Sequence, residues 1–180
     1  MKKANIGFWV CLLLIPVIGN AQTTVSQDVA NRFRQAGIAV QNPIPIRDFQ
    51  VQMLDGSIKS LSGFKNQVVF LNFWATWCGP CRGEMGSMQT LYQRFNKNNK
   101  FAMLAIDLQE DLDSVASFMR QMSLNFPVGI DSGSISDAYG ITAIPTTFLI
   151  KNGYIIASIV GSRDWDTVQV FSAFEALLND

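Results

Sequence analysis

The chain has 180 residues, enough for one domain that buries roughly two-thirds of its extended surface, so stability does not require disulfide staples. Its 14 basic and 14 acidic residues cancel, and they form no basic run or stripe, so no nucleic-acid partner is expected. Three cysteines and no histidine exclude a Cys–His protease pair and leave too few soft ligands for a structural zinc site.

Lys2 and Lys3 precede an apolar run over residues 6–18, followed by Gly19, Asn20 and Ala21, a small-x-small cleavage pattern. This predicts an export signal over residues 1–21. The run is shorter than the ~20 residues of a spanning helix and contains Pro16, so cleavage is the leading reading. An uncleaved anchor is the alternative, and membrane contact is expected only in that case. Cys11 has no small residues before it of the kind a lipoprotein signal carries, and it reads as one more apolar residue of the signal. Cleavage would remove Lys2 and Lys3 and no acid, leaving 12 basic against 14 acidic residues.

Residues 22–42 are polar and read as a leader or linker, with a short helix over 27–35 capped by Ser26 and a stop at Pro43, Ile44 and Pro45. The domain is expected over 43–180. Runs 49–54 and 57–61 flank Asp55-Gly56, a hairpin signal. Residues 67–75 are apolar on both faces, as suits a central parallel strand under helices. Trp77, Cys78, Gly79, Pro80 and Cys81 follow at once, and then Met85, Met88, Tyr92 and Phe95 continue from Cys81 a helical stripe over four turns.

A strand is predicted over 100–107, and Leu112, Val115, Ala116, Met119 and Met122 make a second stripe capped near Asp111. Residues 127–131 read as a short strand and 134–139 as a short helix. Ile144-Pro145 leads into strands over 146–151 and 154–160, joined by Asn152-Gly153 as an antiparallel hairpin. Residues 164–180 close the chain as a helix, with Val170, Phe171, Phe174, Leu177 and Leu178 on one face and Trp165 packing at its start. The order of elements is that of an α/β domain with a mixed sheet between helices.

Two cysteines separated by a dipeptide close a small disulfide ring, and helix onset at Pro80 aims unpaired backbone N–H groups at the first sulfur. Cys78 is therefore the candidate nucleophile and Cys81, one turn inside, the resolving thiol. Moving a thiol from about pKa 8.5 to about 7 takes roughly 2 kcal/mol of preference for thiolate. A helix terminus supplies at most about 2 kcal/mol, so hydrogen bonds from the turn are expected to share the task.

The stretch from Leu71 to Glu84, which reads LNFWATWCGPCRGE, together with Ile144-Pro145-Thr146-Thr147 much later, resembles the thioredoxin superfamily. More narrowly it is similar to the extracytoplasmic TlpA/ResA-like thiol-disulfide oxidoreductases, a thioredoxin domain of the redoxin, AhpC/TSA-like kind. The resemblance implies a three-layer thioredoxin fold with an N-terminal β-hairpin and an inserted strand–helix segment over 100–122. It implies dithiol–disulfide exchange through Cys78 and Cys81, no cofactor, a client protein carrying a disulfide, and a membrane thiol donor that recharges the dithiol. The sequence leaves the client open among apocytochrome c, another oxidoreductase and a cell-wall enzyme.

By the same resemblance Pro145 is a cis-proline facing the dithiol, where Ile144 backbone groups pair with an extended client segment. Trp77, although an aromatic beside a central strand can equally be packing, is a candidate for the client surface together with Gly79 and Pro80. Trp74 is the weaker candidate for that surface and reads more readily as packing. Thioredoxins proper place a buried Asp where this chain has Asn72. Glu84 is then the one acid near the dithiol, and relatives carry a functional Glu there; taken alone it reads equally as an exposed first-turn acid favoured by the helix dipole. Gly86 stands where relatives often have a helix-kinking proline.

Gly79-Pro80 between the cysteines matches reducing thioredoxins, so a reductase of protein disulfides is the leading reading, and two other readings compete with it. Thiol peroxidases of this fold show Pro-x-x-x-Thr-x-x-Cys, and Leu71 and Ala75 occupy the Pro and Thr places here. A Cu(I)-carrying or client-holding module would use the same two sulfurs without turnover, although copper-handling relatives usually add a histidine.

Overall fold

The computed structural model describes residues 25–180. The expected export signal over 1–21, with Lys2, Lys3 and Cys11, lies outside the described residues. In chain order the elements are α1 (Gln27–Gln35), β1 (Ile44–Pro45), β2 (Gln50–Met53), β3 (Ile58–Ser60), a 3-10 turn (Leu61–Phe64), β4 (Val68–Trp74) and α2 (Gly79–Phe95). They continue with β5 (Phe101–Leu108), α3 (Leu112–Gln121), β6 (Val128–Asp131), α4 (Ser134–Ala138), β7 (Thr146–Lys151), β8 (Tyr154–Val160) and α5 (Val168–Asn179).

One sheet runs β1-β8-β7-β4-β5-β6-β2-β3. β4, β5 and β6 are parallel, and every other pairing is antiparallel, so the sheet is mixed as its sequence predicts. β4 is buried at all seven positions because both its faces are covered. Val68, Phe70 and Trp74 face a core built with α1, α2, α3 and α5, while Val69, Leu71 and Phe73 face a second core with Leu61, Ile135 and Phe148. This is the three-layer thioredoxin arrangement. The expected hairpin forms as β2 and β3, and β2 then pairs with β6; a Cβ on Gly129 would stand 2.6 Å from a Val51 methyl, so only glycine lets the strands approach. Asn152 and Gly153, with φ of 53° and 78°, make the tight β7–β8 turn.

Three local features differ from expectation. From Ser26 onward the polar segment read as a leader is packed into the domain: α1 buries Val29 and Phe33, Ile38 follows, and Phe33 meets Phe174 of α5 edge to face at 5.7 Å. Its overall polarity belongs to the outer face alone. Ile44 and Pro45 pair with β8 as a short edge strand instead of only ending a helix. α5 begins at Val168 rather than at 164, because the Thr167 side chain accepts the Val170 N–H and caps the helix there. That leaves residues 161–167 as a connection that carries Trp165 into the core, where it is fully buried.

Candidate active site

The dithiol sits where β4 meets α2. Cys78 is the N-cap residue of α2 in an extended conformation, and its sulfur accepts the Cys81 N–H at 3.2 Å. Pro80 in the first helical turn lacks only an N–H that would have had no intrahelical partner. Cys78 and Cys81 form a disulfide with Cα atoms 5.2 Å apart. Cys78 is 6% exposed and Cys81 is fully buried, so only Cys78 of the pair reaches the surface.

Opposite them the Ile144–Pro145 bond is cis, and the Ile144 carbonyl oxygen lies 3.8 Å from the Cys78 sulfur. The Pro145 carbonyl accepts the Gly161 N–H at 2.8 Å, which ties the Pro145 turn to the end of β8. Trp77 projects from the loop before Cys78 and is 69% exposed, and Gly79 and Pro80 are also exposed. Trp74 is fully buried, its ring 5.5 Å from that of Phe118, and it takes no part in the outer surface.

Glu84 is buried, not an exposed first-turn acid. Its spacing of three from Cys81 puts the two side chains on one face of α2. One carboxylate oxygen accepts from the Asn72 amide at 3.1 Å. The other accepts from the Arg163 backbone N–H at 3.2 Å and the Trp165 indole N–H at 3.0 Å. The Asn72 amide also donates to the Thr147 hydroxyl at 2.9 Å, locking it between strands. Burial pushes the Glu84 carboxyl up, and the Trp165, Arg163 and Asn72 donors pull in the opposite direction without cancelling it.

A family model described as the AhpC/TSA family matches residues 40–159. The chain belongs to the AhpC/TSA family. A thiol-disulfide oxidoreductase, ResA, of Bacillus thuringiensis subsp. konkukian is 36% identical over 173 residues, covering 95% of this chain and 96% of its own. A thiol:disulfide interchange protein of Chlorobium tepidum superposes with a TM-score of 0.64 at 30% identity, over 74% of this chain and 97% of its own. StoA of Bacillus subtilis superposes with a TM-score of 0.62 at 26% identity, over 72% and 98%. With its Cys78–Cys81 pair, this AhpC/TSA chain is a thiol-disulfide oxidoreductase.

The AhpC/TSA chain has further groups on both flanks of the site whose roles its sequence did not disclose. Arg163 and Trp165 lie about 80 positions from Glu84, and the one available signal was a tryptophan between two acids, which reads as packing. On the other flank Glu110 clamps the loop before the dithiol: its carboxylate accepts the Thr76 N–H at 2.6 Å and the Thr76 hydroxyl at 2.5 Å. The Glu110 N–H in turn donates to Asp107, which is fully buried at the end of β5. Burial, and then the neighbouring Glu110 carboxyl, push the Asp107 carboxyl up to about 8.

Proposed function

We propose that this oxidoreductase works outside the cytoplasm as a reductase of protein disulfides. The observation that carries the reading is the asymmetry of the site: a cysteine that reaches the surface at a helix N-terminus, an enclosed cysteine a turn later, and an enclosed carboxyl a further turn on. In the reduced enzyme the Cys78 thiolate attacks a client disulfide, forming one S–S bond and releasing one client thiolate. Cys81 then gives up its proton and attacks Cys78, closing the ring and freeing the second client thiolate. Glu84 takes the Cys81 proton, directly or through water, since Asn72 cannot and the chain has no histidine.

Trp77, Gly79, Pro80, Ile144 and Pro145 frame Cys78 and form the surface for an extended client segment. The exchange uses sulfur and proton chemistry only, so no cofactor takes part, and a membrane thiol donor restores the dithiol. Export is supported by Lys2, Lys3 and the small residues ending at Ala21. No helix among the described residues is long and apolar enough to cross a membrane. The peroxidase reading is disfavoured because Leu71 and Ala75 are both fully buried packing groups where a peroxide site would need its Pro and Thr.

Equilibration with glutathione, in the wild type and in two single-cysteine variants, tests the reading. The spacer offers no histidine to favour the reduced form further, so the potential should lie nearer the roughly −270 mV of thioredoxin than the roughly −120 mV of a strong oxidant. A value above about −180 mV contradicts the reductase direction. Cys81→Ser should accumulate mixed disulfides with client, whereas Cys78→Ser should be inert; equal trapping by both contradicts the assigned roles.

A further inference from the structure

Residues 161–166 follow β8 and lie beyond the span matched by the family model, yet they close the site over Glu84. Trp165 is seated edge-on against Phe70, with ring centroids 4.7 Å apart, and its N–H reaches the Glu84 carboxylate at 3.0 Å. The Arg163 guanidinium lies over the Trp165 ring, 5.2 Å from its centroid. It donates to the carbonyl oxygens of Ala36 and of Gly37, the latter at 3.3 Å, at the end of α1. The segment is thus held by the core on one side and by α1 on the other.

A phenyl ring would lack the donor that the indole aims at the buried Glu84 carboxylate. We propose that Trp165 is a positioning residue, which fixes the Glu84 carboxyl near Cys81 and sets the pH at which that carboxyl gains or loses its proton. The inference rests on the reading that Glu84 serves the dithiol. The charged group facing Glu84 is the Arg163 guanidinium; Cys78 at the N-cap and Cys81 on α2 carry no charge while bonded, and Asn72 and Thr147 from the sheet are neutral. Among the groups that oppose the burial penalty on Glu84, the Trp165 hydrogen bond is the largest.

The test is a 13C NMR titration of the Glu84 carboxyl in the oxidised protein. The wild type is compared with Trp165→Phe and with a protein carrying β-(3-benzothienyl)alanine at position 165, which replaces the indole N–H by sulfur at nearly the same volume. The Glu84 midpoint should rise in both by roughly one pH unit, the scale of one hydrogen bond to a charged group. An unchanged midpoint in the benzothienyl protein overturns the proposal, whatever becomes of the Phe variant. After reduction, the pH profile of Cys78 alkylation should shift in Trp165→Phe but not when Glu84→Gln is also present. A shift that persists without the carboxyl means that Trp165 acts through packing, and it also overturns the proposal. A midpoint that moves while Glu84→Gln alone leaves the alkylation profile unchanged upholds the positioning role and removes Glu84 from the exchange reaction.

Discussion

A thiol in a dithiol site differs from a core cysteine by what surrounds it within one helical turn, and here that neighbourhood is Glu84. The sequence placed Cys78, Cys81 and Glu84 on one face at the start of α2, because spacings of three are local geometry. It could not show that Asn72, Arg163 and Trp165 converge on the carboxylate, since they come from β4 and from the connection after β8, brought together only by the fold. A buried carboxylate near two sulfurs opposes thiolate formation once it ionises. Glu84→Gln removes that charge at nearly constant shape. The alkylation midpoint of Cys78 should fall by roughly one pH unit, an effect seen only above the pH at which wild-type Glu84 ionises. Resolution of the mixed disulfide should slow roughly 100-fold, the lower end of what a positioned proton acceptor contributes. Alkylation rate against pH and single-turnover reduction of a model disulfide measure the two effects, and wild-type values in both would make Glu84 a buried structural acid.

At the scale of elements, the strand and helix order was legible because apolar runs and stripes report burial on two faces or one, as in β4 and α3. Less legible were ends set by single side chains, such as the Thr167 cap, and the chemistry of a strand end such as Asp107. β5 delivers Asp107 opposite Trp74, and the chain then turns so that Glu110 holds the loop leading to Cys78. With a folded-state pKa of about 8 against an ordinary 3.8, Asp107 keeps a proton that the unfolded chain has lost over the window between. Folding stability should therefore fall as pH rises from about 4 to about 8, by at most about 1.4 kcal/mol per unit from this group. Asp107→Asn should flatten that slope. Urea unfolding of oxidised protein at pH 5 and pH 8 should show the wild type losing about 2–4 kcal/mol more than the variant across the interval. Equal losses would mean that Asp107 is ionised in the fold.

For the whole molecule the question is where the folded unit starts. The family match begins at residue 40, and the polar composition of 22–42 suggested a leader. Yet the i, i+4 pair Val29 and Phe33 forms one apolar stripe on α1, and that stripe is buried against α5 among the rings of Phe174 and its neighbours. Composition averaged over both faces of a helix hides such a stripe; only its spacing reveals it, and no spacing says which partner will cover it. If α1 belongs to the cooperative unit, Phe33→Ala leaves a cavity in the main core and should cost about 3–5 kcal/mol in urea unfolding of oxidised protein. A helix that merely rests on the surface would give up its contacts at less than about 1 kcal/mol, and the unfolding midpoint would barely move. The same substitution should reach the site, because Arg163 holds the Ala36 and Gly37 carbonyl oxygens just beyond Phe33 while its own backbone N–H holds Glu84. A loosened α1 frees that guanidinium and lets the connection over Glu84 open, admitting water that relieves the burial of the carboxyl. The Glu84 midpoint should then move down in Phe33→Ala, opposite in sign to the shift expected when the Trp165 donor is removed, and the 13C titration that reads one reads the other.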